Sequence, residues 1–332
     1  MTSILVTGGA GYVGSVSVEA FLAAGHRVVV LDDLTTGHRD AVSGGATLVV
    51  GSYGDSGLVR GLLREHGIEA ILHCAARSLV GESIAAPARY YTDNVAGGVN
   101  LLEAAREMEV NRVVFSSTAA VYGEPDTTPI PEDAALRPIN PYGETKRTFE
   151  SALRWYGTAY GLRSVSLRYF NVAGATEALG EDHDPETHLI PNVLRAAERG
   201  ESVTLFGDDY PTPDGTCIRD YIHVADLASA HLLAIEATAA GDPRTDVGAI
   251  ACNLGIGGGF SNLEVLAAAS AAIGREIPAV IGPRRAGDPP ILVAAADRAA
   301  TLLGWTPRYP TLEAMVASAW AWRQAHPGGY AD

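Results

Sequence analysis

From Ser3 to Phe170, short β-branched runs alternate with stretches of helical length, and this alternation restricts the fold more than any other feature of the chain. The runs read SILVTGG, RVVVLDD, ATLVV, EAILHCA, RVVFSS and RSVSLRYF. Between them lie amphipathic stretches at Tyr12 to Ala24, Asp55 to His66 and Pro87 to Met108. Apolar strands of this kind are covered on both faces, which predicts repeated βαβ units and a parallel sheet. A further helix is predicted to begin with Asn140 as N-cap and Pro141 as its first residue, ahead of RSVSLRYF. Beyond Asn171 the pattern loosens into the turn-rich loops GEDHDPETH and GDDYPTPDG, with short elements at AIACNLG, Asn262 to Ile273 and Thr311 to Ala325. No repeat of 20 to 50 residues is visible. The expected fold is α/β: a doubly wound parallel sheet over 1–170, with a segment near 220–255 returning to it, and a smaller mixed α/β C-terminal lobe over 171–332.

Composition narrows the partners. With 332 residues, 47% apolar and 19% charged, the chain is that of a folded globular protein. A formal net charge of -15 repels nucleic acid and anionic membrane surfaces, and no basic patch offsets it. Neither a run of 18 apolar residues nor a basic leader ahead of ILVTGG is present. Cys74, Cys217 and Cys252 have no metal-ligand spacing and cannot all pair, so reduced thiols, a cytoplasmic location and no metal are expected.

VTGGAGYVG joins the first strand to the first helix, with Gly8, Gly11 and Gly14 three apart. Glycines there allow a tight turn and bring backbone N–H groups at a helix N-terminus against a pyrophosphate. The second strand ends at Asp32, whose carboxylate suits the hydroxyls of an adenosine ribose. Asp33 beside it disfavours a 2′-phosphate, so NAD is the expected cofactor and a Rossmann-type domain holds it, with Arg39 the one nearby cation.

Lys146 is the only lysine among 24 basic residues, which asks what an ammonium does there that a guanidinium cannot. It lies four residues after Tyr142 at the start of the predicted helix, so the two share a face. A phenol works as a base near neutrality only when a cation and a helix N-terminus stabilise its phenolate. A compact ammonium suits that position better than a planar fork. Ser116, Ser117 and Thr118 in FSSTAAVYG end a strand at the ligand edge of the sheet, and Thr118 is the candidate to hydrogen-bond the reacting hydroxyl.

At VTGGAGYVGS, FSSTAAVYGE, NPYGETK, LRYFNVAGA, GDDYPTPDGTCIRDYIHVADLA and PRRAGDP the chain resembles the extended short-chain dehydrogenase/reductases, and among them the UDP-glucose 4-epimerases. The resemblance implies an isomerase that oxidises C4 of a UDP-hexose to a transient ketone and reduces it from the other face, with NAD recycled in place. It assigns Tyr142, Lys146 and Thr118 to catalysis. It lines the cofactor with Gly8, Gly11, Tyr12, Val13, Gly14, Asp32, Asp33, Leu34, Thr36, Gly37, Ser52, Tyr53, Cys74, Ala75, Ala76, Ser78, Asn94, Ser116, Tyr142, Lys146 and Phe170. The substrate, a UDP-sugar, falls to Thr118, Tyr142, Asn171, His188, Leu189, Thr204, Phe206, Arg219, Arg285, Asp288 and Leu292. Relatives of this kind pair as homodimers, and the stretch Pro87 to Met108 could supply the face.

Some positions depart from the family pattern. Ser78 replaces a lysine near the cofactor, for which Arg77 could substitute. Ser52 replaces an acidic residue near the adenine, and His188 an asparagine beside the diphosphate. Leu292 replaces a bulky tyrosine, a smaller wall that could admit a 2-acetamido sugar. Two other readings fit less well. A 4,6-dehydratase needs acidic groups after the hydroxyl residue, where this chain has Ala119 and Ala120, and a non-catalytic NAD-binding regulator has no use for the tyrosine–lysine pair.

Overall fold

A computed structural model describes residues 1–245, 248–285 and 288–331; the two residues inside the PRRAGDP motif at 286 and 287 and the last position of the expected lobe at 332 lie outside it. The first half runs β1 (Ser3–Thr7), α1 (Tyr12–Ala23), β2 (Arg27–Asp32), β3 (Thr47–Val50), α2 (Ser56–Glu65), β4 (Ala70–His73), α3 (Val80–Ala85), α4 (Pro87–Tyr90), α5 (Gly98–Glu107), β5 (Arg112–Thr118), α6 (Pro141–Tyr160) and β6 (Arg163–Tyr169). The second runs β7 (Asn171–Ala173), α7 (Leu189–Arg199), β8 (Val203–Phe206), β9 (Ile218–Arg219), β10 (Tyr221–His223), α8 (Val224–Ala237), β11 (Ala249–Leu254), β12 (Phe260–Ser261), α9 (Asn262–Ile273), β13 (Ala279–Gly282), β14 (Ile291–Leu292), α10 (Asp297–Leu303) and α11 (Leu312–Ala325).

Among the described residues the main sheet is parallel throughout, in the order β11-β6-β5-β4-β1-β2-β3. The order reverses at β1, so the crevice between the C-terminal ends of β1 and β4 is the topological switch point where such sheets bind ligands. Both faces are covered. Phe21 of α1 and Leu227 and Ala230 of α8 close one side over Ile4, Val6 and Val30. Leu62, Leu101 and Phe149, from α2, α5 and α6, close the other over Leu5, Leu31 and Ile71. This is why the strands read as unbroken apolar runs. Ala249–Leu254 enters the sheet beside β6, although 79 residues of chain separate Tyr169 from Ala249. A separate core gathers Val193, Leu205, Val265 and Met315 from α7, β8, α9 and α11. No helix among the described residues is long and apolar enough to cross a membrane.

The stretch Pro87 to Met108 is not one α-helix. Tyr91–Gly97 winds as a π-helix between α4 and α5. Such segments mark places where a side chain needs an orientation the α-helix does not give. Here Asn94 is turned inward: its Oδ1 accepts from Arg77 N at 2.8 Å, and its Nδ2 donates to Arg77 O at 3.0 Å and to Thr145 Oγ1 at 3.1 Å. The start of α6 follows the sequence closely. Asn140 Oδ1 accepts from Gly143 N at 2.9 Å, Pro141 is the first helical residue, and Gly161 ends the helix in the left-handed conformation. The buried residues Tyr142, Thr145, Lys146, Phe149 and Leu153 lie at helical spacing and aim one face of α6 at β5.

Candidate active site

Gly8 leaves β1 with φ of +74°, and a Cβ there would stand 2.5 Å from Ala75 N. At Gly14 a Cβ would be 2.0 Å from the Gly8 carbonyl oxygen, so these two glycines let backbone pass backbone. Gly11 is different: an added Cβ would meet nothing nearer than the Gly8 oxygen at 3.5 Å, so its missing side chain leaves open space. That space faces the N-terminus of α1, which Gly11 caps without a side-chain acceptor. Unsatisfied N–H groups, a helix dipole and an open cradle are what a pyrophosphate needs. Tyr12 and Val13 follow on the helix; the Tyr12 hydroxyl donates to Gly174 O at 2.6 Å, tying α1 to the second lobe. Gly37 packs on the turn, where a Cβ would meet Ala10 at 2.9 Å.

Asp32 ends β2 almost buried, accepting from Ala10 N at 3.0 Å and Leu34 N at 2.9 Å. Burial raises its carboxyl and those two backbone bonds oppose the rise. Asp33 is exposed and turns to Thr35 N, Leu34 takes a positive φ of 57°, and Thr36 is exposed beside them. The glycine turn and this carboxylate fit a dinucleotide.

Tyr142, Thr118 and Lys146 converge at the C-terminal end of β5. The Thr118 hydroxyl hydrogen-bonds the Tyr142 phenol and also accepts from Ala120 N at 3.2 Å. Lys146, 3% exposed, donates to Ser116 O at 2.7 Å, with its ammonium 4.7 Å from the centre of the Phe115 ring and 5.9 Å from that of Tyr142. Burial pulls Lys146 down to about 8, opposed by Cys74 and Glu150. Burial raises the Tyr142 hydroxyl, and the Thr118 hydrogen bond is what lowers it. The lysine is engaged with a strand carbonyl and its charge stands beside the Tyr142 ring.

Around this trio lie further residues assigned to the cofactor. Cys74 Sγ is 3.2 Å from Ser116 Oγ, and burial pushes its thiol up to about 11. Ser116 Oγ also meets His231 Nε2 at 3.0 Å. Ala75 follows β4 through a bond to Thr7 O, with Ala76 next to it. The polar atoms of Asn94 are taken by protein partners, so it positions the loop after β4. Tyr53 donates to Asp93 O at 2.7 Å, Ser52 accepts from Gly54 N, and Ser78 is exposed. The Arg77 guanidinium is engaged by Asp93 and lies 3.8 Å from Glu82. Phe170 and Leu292 both pack against the cluster of Val121, Tyr122 and Ile130, where the two lobes meet.

In the second lobe the parallel pair β9–β14 sets Arg219 opposite Leu292. Arg219 donates to Asp288 Oδ1 at 2.5 Å and to Ile218 O at 2.8 Å. The pair β8–β13 carries Phe206 and the exposed Thr204, and the Arg285 guanidinium stacks 4.0 Å over the Phe206 ring. Asn171 opens β7, its N–H donating to Asp220 O. His188 caps α7 and Leu189 begins it; the His188 imidazole bonds to Glu181 through Nδ1.

Several contributors escaped the sequence. Glu150 accepts from Ser117 Oγ at 2.5 Å and from Arg168 Nη2 at 2.6 Å, and Arg168 Nη1 reaches Tyr122 Oη at 2.9 Å. Tyr122 in turn donates to Asn253 Oδ1 at 2.6 Å, so a buried network underlies the end of β5. Asp220 is wholly buried and accepts from the N–H groups of Ile256, Gly257 and Ala294. Tyr169 ends β6 half-buried, and burial of its hydroxyl holds it well above the ordinary phenol range. Their one sequence signal is polar residues inside apolar strands, such as the arginine of SLRYF.

The chain matches the model of the NAD dependent epimerase/dehydratase family over residues 4–249. It is 50% identical to the UDP-glucose 4-epimerase of Halalkalibacterium halodurans, over 99% of this chain and 97% of that one. A crystal structure of a UDP-glucose 4-epimerase superposes with a TM-score of 0.95 at 48% identity over all of both chains. That of the UDP-glucose 4-epimerase from Bifidobacterium longum in complex with NAD+ and UDP does so with a TM-score of 0.92 at 36% identity, covering 99% of this chain and 100% of that one.

Proposed function

Because the chain belongs to the NAD dependent epimerase/dehydratase family, we propose that its residues serve the NAD-dependent inversion of C4 in a UDP-hexose through a transient 4-keto sugar. When bound, NAD supplies the reversible two-electron oxidation of C4. The Tyr142 phenolic oxygen takes the proton of the sugar 4-hydroxyl and later returns it, with Thr118 Oγ1 in the same hydrogen-bonded line. Lys146 supplies the positive potential in a pocket closed to water. Asp32 holds the adenosine ribose, and the N–H groups at Gly11 to Gly14 hold the pyrophosphate.

Inversion requires that the same sugar present both faces to one oxidant. The grip must therefore fall on the nucleotide and leave the hexose loose. Arg219, oriented by Asp288, and Arg285, stacked on Phe206, serve the diphosphate and ribose, with Asn171, His188, Leu189 and Thr204 beside them. Leu292, next to Phe170, leaves the sugar pocket room for a 2-acetamido group. Equilibration of UDP-GlcNAc with UDP-GalNAc by the purified protein tests that room, and its absence removes it.

Residues 1–170 with the segment 220–255 form the dinucleotide unit, and the rest of 171–332 the UDP-sugar lobe. A homodimer is supported by Tyr91, Trp155 and Tyr160, large aromatic side chains exposed on the π-helical segment and on α6. Light scattering at the size of one chain would dismiss it. Three free cysteines support a reducing cytoplasm.

The observation that carries the reading is the convergence of Tyr142, Thr118 and Lys146 at the sheet edge beside the glycine turn. The test adds UDP-galactose to purified protein without supplied NADH. UDP-glucose should accumulate to equilibrium without net nucleotide reduction; formation of a 4-keto-6-deoxy sugar, or no conversion, overturns it.

A further inference from the structure

The loop from β7 to α7 carries a cluster of which the chemistry above uses only His188. We propose that Glu181, His183, Glu186 and His188 form a binding site for one divalent transition-metal ion, with zinc the best match to the ligand set. One ligand atom from each of the four lies within 4.8 Å of all the others. Glu181 Oε1 is 2.5 Å from His188 Nδ1 and 3.2 Å from His183 Nδ1, while His183 Nδ1 is 4.0 Å from Glu186 Oε2. A tetrahedral zinc site with nitrogen and oxygen ligands near 2.0–2.2 Å sets those atoms about 3.3 Å apart. The observed separations straddle that figure, so small side-chain rotations close the site around an ion.

A second observation points to a missing ligand. The Glu186 side chain is 1% exposed, and its Oε2 has no hydrogen-bond partner among the described residues. The nearest cationic nitrogen of Arg195 is 4.0 Å away, too far to serve. Glu186 Oε1 is already used by the N–H groups of Thr187 and His188, at 2.8 and 2.9 Å. An anionic oxygen buried without a partner is costly, and a cation coordinated at Oε2 supplies one. Two carboxylates balance a dication, and imidazole with carboxylate is a ligand set that zinc accepts. The loop is braced from outside by Arg195, whose Nη2 donates to His183 O at 3.0 Å. The sequence-based expectation of no metal rested on cysteine spacing, which does not bear on this loop. Coordination through His188 Nδ1 leaves its Nε2 for the role given above.

The test is elemental analysis of full-length protein made without a histidine tag, with zinc in the medium, after dialysis into a non-chelating buffer. The expected content is about one zinc per chain, and Glu186→Gln and His183→Ala should each lower zinc affinity by about tenfold or more. Zinc added to chelator-treated wild type should raise its Tm, an effect both variants lose. Another divalent transition ion at the same stoichiometry, lost in the same variants, supports the site and changes the ion. Wild type with less than about a tenth of an equivalent and no Tm response to zinc overturns the proposal, as does metal retained equally by both variants. Glu186→Gln keeps the side-chain shape, and an unchanged far-UV spectrum separates lost ligation from lost fold.

Discussion

Lys146→Met isolates what the buried ammonium costs the fold. Burial holds Lys146 at about 8, against the 10.5 of a free lysine. Because the folded value lies below the unfolded one, the native state favours the neutral amine. Below about pH 8 both states keep the proton and the fold bears the whole penalty, about 3 kcal/mol for that displacement. As pH climbs through 8 toward 10.5 the native lysine loses its proton first, and by pH 9.5 the penalty has fallen by about 2 kcal/mol. Methionine fills nearly the same volume without a charge but removes the donor to Ser116 O, a loss of about 1–2 kcal/mol. The cofactor-free variant should therefore be more stable than wild type by roughly 1–2 kcal/mol at pH 7 and no more stable than wild type at pH 9.5, while turnover is lost. Guanidinium unfolding followed by circular dichroism at the two pH values measures the difference. A variant less stable at pH 7, or a gap that does not change with pH, refutes the argument.

Tyr142→Phe should lower kcat by about 10²–10⁴ with the unfolding midpoint nearly unchanged, read by a UDP-galactose conversion assay and a denaturation curve. Glu150→Gln should destabilise the protein by about 3–5 kcal/mol, because Arg168 is left as a buried cation with a neutral partner; chemical denaturation checks it. Gly14→Ala and Gly11→Ala should part company. The first forces a Cβ to 2.0 Å from backbone oxygen and should yield little folded protein, whereas the second, at 3.5 Å, should fold and retain less dinucleotide, read from the 260 to 280 nm absorbance ratio.

Much of the first half was legible because its causes are local. A helix start depends on residues within one turn, and Asn140 with Pro141 announces α6 from four positions. Gly11 and Gly14 act on backbone and a helix end close to them in the chain, and strands buried on both faces must be apolar wherever they pair. That Tyr142 and Lys146 lie together was legible for the same reason, since they are one helical turn apart. Which group touches the phenol was not. Thr118 reaches Tyr142 across 23 intervening residues, and Lys146 donates to Ser116 O on β5. The π-helical turn that rotates Asn94, the buried Glu150–Arg168 bridge and the unpartnered oxygen of Glu186 share that origin. Each depends on which polar atoms are left facing one another once water is expelled, and desolvation is a property of the packed three-dimensional arrangement that no short window of residues carries.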